Sequence, residues 1–127
     1  VASKPKQIYI GTWPLGWRNV DLYGRTELGG TTVHVSGKGN GRVVVSLDYE
    51  EWREVLNVLL HETDEFLMHD RGHTYRATEA LSGDINNCLF VFRHHDFSET
   101  KAHQADFIAE CYEPLRKAWR NYRQRGT

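Results

Sequence analysis

The sequence predicts an α+β fold: an antiparallel β-meander packed against two long helices, with one further strand between the helices. Three observations predict it. Short β-branched runs separated by glycines fill residues 7–47; the hydrophobic period then lengthens to that of a helix over residues 52–67 and again over 97–122; and a short apolar run, Cys88–Phe92, lies between them. A chain of 127 residues needs only one domain to bury a core of useful size.

Taken in order, Gln7–Ile10 reads as a short strand and Gly11–Trp17 as a turn-rich loop. Val20–Leu28 gives a second strand broken by Gly24, and Gly29-Gly30 reverses the chain into Thr31–Ser36. Gly37-Lys38-Gly39-Asn40-Gly41 then leads into Arg42–Leu47. This glycine loop is read as a hairpin connection, because a phosphate loop needs Gly-x-x-x-x-Gly-Lys-Ser/Thr and a helix after it. Asp48 with Glu51 makes a capping box for the first helix, whose stripe is Trp52, Val55, Leu56, Leu59, Leu60, Thr63, Phe66 and Leu67, with Gly72 as its stop. Residues 72–87 read as an irregular connection, and Cys88–Phe92 as a buried strand ending at Arg93-His94-His95-Asp96. Asp96 with Glu99 offers a second capping box. The last helix carries Phe97, Ala105, Ile108, Tyr112, Leu115, Trp119 and Tyr122 on one stripe, and Pro114 is expected to kink or split it near Glu113.

An apolar fraction of 39% and a charged fraction of 26% describe an ordinary globule and exclude a disordered chain. The formal net charge of −1 argues against a nucleic-acid partner for the chain as a whole. Locally the balance is uneven. Residues 48–70 hold eight acids against Arg53, whereas residues 114–127 hold Arg116, Lys117, Arg120, Arg123 and Arg125 and no acid. The simplest expectation is that the two helices complement each other; a phosphate-facing basic end is the weaker one. Cys88 and Cys111 have no metal-ligand spacing and are expected reduced and buried, which together with the lack of a long apolar run or signal-peptide core points to the cytoplasm and away from membranes. Val1 suggests that the natural start lies upstream.

The chemistry concentrates in His61-Glu62-Thr63-Asp64-Glu65. A helix brings i and i+4 to one face, so His61 and Glu65 can hold one divalent ion, with Glu62 about 100° around the helix as general base on a bound water. Zinc accepts imidazole and carboxylate, and a catalytic site needs a third protein ligand. His94 is preferred for it, then His95; either gives two imidazoles and one carboxylate and leaves the ion a stronger Lewis acid than Asp96 would. His69 and His73 are expected at the surface or near the helix end, His103 in solvent, and His34 has no evident partner. The tryptophans Trp13, Trp17, Trp52 and Trp119 are read as core or loop anchors.

Leu59–Met68 (Leu-Leu-His-Glu-Thr-Asp-Glu-Phe-Leu-Met) resembles the active-site helix of minimal zincin-like metallopeptidases, with Glu65 where their motif has its second histidine. The chain also resembles small phage- and prophage-type proteins that join a Leu-Leu-His-Glu helix to a later Phe-Val-x-x-His-x-x-Phe-Ser-Glu stretch, here Phe90–Glu99 with His94 at the histidine position. The resemblance implies a zinc-binding accessory protein of a phage or mobile element, with His61 as ligand, Glu62 as base and His94 as partner ligand, acting on a peptide or amide. The alternative from another class is a non-enzymatic protein-binding or assembly module, self-association included.

Overall fold

The computed structural model describes residues 7–26, 32–34, 39–70 and 94–125, with residues 32–34 and 94–96 as backbone only. Within them lie β1 (Gln7–Leu15), β2 (Arg18–Arg25), β3 (Thr32–His34), β4 (Gly41–Ser46), α1 (Trp52–Asp70) and α2 (His94–Arg125). This is the α+β class with two long helices on a sheet. Gly29-Gly30, the connection over residues 72–87, the stop at Gly72 and the strand Cys88–Phe92 lie outside the described residues.

The sheet order is β1-β2-β4-β3, so the meander is not antiparallel throughout. β1 and β2 form an antiparallel hairpin, β3 and β4 form another, and β4 runs parallel to β2 between them. Glycines predict chain reversals but not which strand a reversal skips, and β3 lands one place beyond its sequence neighbour. β1 also runs five residues further than Gln7–Ile10. It does so through a bulge between Tyr9 and Gly11, and Pro14 is tolerated because β1 is an edge strand. Gly16, at φ 69°, supplies the left-handed residue of the turn that pairs Leu15 with Arg18.

One face of the sheet holds the core. Val20, Leu22, Val43, Val45 and Leu47 meet Val55, Leu59 and Phe66 from α1 and Phe107, Cys111 and Leu115 from α2. Gly41 lies under Phe66, and a methyl group there would overlap the ring. α1 packs over β4 and β3, and α2 over β1 and β2. The helices run antiparallel: Trp52 meets Tyr112, Thr63 meets Gln104 and Asp64 meets Lys101.

The caps differ from expectation. Glu51 and Glu54 close the start of α1, with Glu51 N–H donating to Glu54 Oε2 (3.3 Å) and Glu54 N–H to the Glu51 carbonyl (3.1 Å). Asp48 is used elsewhere, accepting from Tyr122 Oη at 3.1 Å. α2 begins at His94 and passes through Pro114 as one helix. The ring removes the N–H that would bond the Glu110 carbonyl, and Glu110 is exposed, so water can take that acceptor.

Candidate metal centre

α1 buries Val55, Leu59, Glu62, Thr63, Phe66, Leu67 and Met68. The period matches the expected stripe, but the helix is turned about its axis: Leu60 is 44% exposed while Glu62 is only 5% exposed. Glu62 therefore sits on the sheet-facing side, one turn from Leu59 and Phe66. Its carboxylate is brought to the margin of the core, where a partner or ion is needed to offset lost hydration. His61, about 100° further round, has 60% of its side chain in solvent.

His61 Nε2 lies 3.2 Å from Glu65 Oε1, and Glu65 is half-buried at 23%. One donor atom from each of His61, Glu62 and Glu65 falls within 4.8 Å of the other two. Two ligands of a tetrahedral zinc with bonds of 2.0–2.1 Å stand roughly 3.4 Å apart, so the His61–Glu65 pair fits one ion without moving. Glu62 closes onto the same ion from within 4.8 Å of the other two donors. A single imidazole and two carboxylates neutralise a divalent cation, which makes the donor set chemically suitable for zinc. The same 3.2 Å also suits an ion pair between carboxylate and protonated imidazole.

The flank on which these donors lie is decided by α2. Gln104 Nε2 donates to Thr63 Oγ1 (2.8 Å) and to the Leu60 carbonyl (3.1 Å), and Lys101 Nζ donates to Asp64 Oδ1 (2.6 Å). Thr63 is 200° around the helix from both His61 and Glu65, so these two donors face away from α2, on the side over β3. His94 opens α2 instead of ending a strand, and its side chain lies outside the described residues. Its backbone is ten residues before Gln104, about 15 Å along the axis, which sets it beside the end of α1. The described residues thus bring His61, Glu62 and Glu65 together, and the side chain of His94 lies outside them.

Other expected positions resolve differently. His103 is only partly solvated: 29% of its side chain is exposed, but its Nε2 is covered, stands 3.5 Å from Glu99 Oε1 and makes no hydrogen bond among the described residues. His69 is half-buried. Cys111 is buried, and desolvation pushes its thiol up to about 12. Residues missed in the sequence include the Thr63–Gln104 bond and the pair Arg18–Asp70, where Nη2 and Nε reach Asp70 Oδ1 at 2.7 and 2.9 Å. Thr63 had a signal, being a polar residue on an apolar stripe. Arg18 and Asp70 had none, because 52 residues separate them. Compared with protein-family models, curated proteins and solved structures, the chain matches none.

Proposed function

We propose that this chain binds one divalent metal ion, zinc first among them, through His61, Glu65 and Glu62 on α1. The supporting observation is the convergence of the three donors within 4.8 Å on about one turn of a single helix. Bound there, zinc would supply Lewis acidity at the protein surface. His61 and Glu65 hold the ion from the solvent side, and Glu62 reaches it from the margin of the core. All three come from one helix, so they occupy one side of the ion and leave the other open to an outside ligand.

Hydrolysis of a peptide or amide is the activity proposed for this site. It makes a separate demand on Glu62, which must then stay off the ion and take a proton as general base. Glu62 cannot hold the ion and act as the free base in the same step, so binding is the part of the proposal that the geometry supports best. An accessory role in a phage or mobile element rests on the pairing of the Leu-Leu-His-Glu helix with Phe90–Glu99.

The test is metal analysis after dialysis against zinc. One zinc per chain is expected, lost in both His61→Ala and Glu65→Gln, with the far-ultraviolet spectrum unchanged because His61 is largely exposed. Equal zinc content in the wild type and both variants would overturn the proposal. The assembly reading keeps one supporting observation, the exposure of Leu60 (44%) and Phe97 (43%) on the two helices that flank the Lys101–Asp64 pair. A sedimentation coefficient that rises with protein concentration in the absence of metal would support it.

A further inference from the structure

The basic end of α2 does not complement the acids of α1. Among the described residues, the acids of 48–70 that form ion pairs find other partners: Glu51 pairs with Arg53, Asp64 with Lys101, Glu65 with His61 and Asp70 with Arg18. Arg116, Lys117, Arg120 and Arg123 form no ion pair with any described residue. The reason is rotational. Leu115, Ala118, Trp119 and Tyr122 turn inward, where Trp119 Nε1 donates to the Tyr49 carbonyl (2.9 Å) and Tyr122 Oη to the Thr26 carbonyl (3.2 Å). With that side committed, positions 116, 117, 120 and 123 share the outward arc, spanning about 10 Å along the axis. Lys117, Arg120, Asn121 and Gln124 are exposed, and Arg116 and Arg123 half-exposed.

We propose that this face of α2 is a docking surface for the phosphate backbone of duplex nucleic acid. Four cations on one rigid helix, with no ion pair among the described residues, complement a regular line of phosphates; Arg120 and Arg123 are suited to forked hydrogen bonds with phosphate oxygens, while the Nε of Arg116 is covered. Asn121 on the same arc adds a neutral donor. An anionic lipid surface fits less well, because an interfacial helix must offer an apolar face beside its basic one and here that face is inside the core. The formal net charge of −1 does not oppose the proposal, since beyond a Debye length of about 8 Å at physiological salt distant acids are screened. Binding is expected to be independent of base sequence, as contacts to phosphate carry no sequence information.

The experiment is anisotropy of a labelled 20-base-pair duplex, titrated with the full chain over a series of salt concentrations. Neutralising about four phosphates predicts a slope of log K against log salt near −3.6. Replacing Arg116, Lys117, Arg120 and Arg123 together by glutamine should weaken binding at least tenfold and flatten the slope, while replacing the three arginines by lysine should keep both. Circular dichroism melts show that each variant is folded; a glutamine variant that fails to fold is replaced by the pair Lys117→Gln and Arg120→Gln, both exposed, which should halve the slope. Salt-independent binding, or an unchanged slope in the neutralised variant, would sink the proposal. So would equal affinity for polyglutamate or for phosphatidylserine vesicles, which would reassign the face to an acidic protein or a membrane.

Discussion

At Cys111 a single side chain decides a pH dependence. Its ordinary thiol value is 9.0, and burial raises it to about 12 in the folded protein. Below pH 9 the thiol is protonated in both states. Above it the unfolded chain releases a proton that the folded one keeps, so unfolding is favoured and stability falls as pH rises from about 9 toward 12. Urea denaturation at stepped alkaline pH should show this fall, and Cys111→Ser should reduce it. The burial of Cys111 was legible, because the residue sits one turn from Leu115 on an apolar stripe. Glu62 was not. A hydrophobic period tells which residues share a side of a helix, but the angle at which that side meets its neighbours is a tertiary property. The difference exchanged Leu60 for Glu62 at the core margin, and with it Glu62 moved from a flanking base to a candidate ligand.

Between elements, Gln104 is the joint of the two helices. It is 3% exposed, donates both amide hydrogens to α1 and accepts from Lys101 at 3.2 Å. Gln104→Ala leaves the Leu60 carbonyl and Thr63 hydroxyl short of a donor, and a loss of about 2 kcal/mol is expected in urea unfolding. Thr63 also donates to the Leu59 carbonyl at 2.7 Å, so it is held from both sides. The helices themselves were readable from period alone, α1 to within a few residues at each end. Their caps were less so: Asp48 had the right chemistry for a cap, but Tyr122, 74 residues away, claimed its carboxylate. The strands beyond Gly11 were hidden for a related reason. Gly-Thr-Trp-Pro carries turn residues, and only the position of β1 at a sheet edge lets them stand in a strand.

Over the molecule as a whole, Arg18 and Asp70 tie the first hairpin to the end of α1. Asp70 is 4% exposed and Arg18 22%. Arg18→Ala would leave a buried carboxylate without its cation, and a cost of about 3 kcal/mol is expected from thermal or urea unfolding, with Arg18→Lys recovering part of it. Charge at this scale was misleading in the sequence, where acidic and basic stretches suggested mutual neutralisation; among the described residues Asp64 and Asp70 pair with Lys101 and Arg18, and the basic end of α2 is left outward. The sheet order carries a further consequence, and it concerns assembly of the fold in time. The β1–β2 hairpin closes over a two-residue turn and can form early. β3 and β4 make a second local hairpin, so the long-range step is the parallel docking of β4 on β2, whose partners lie about twenty residues apart. That docking is expected to be the slower step of folding, and until it happens the inner edge of β2 is open to the wrong strand.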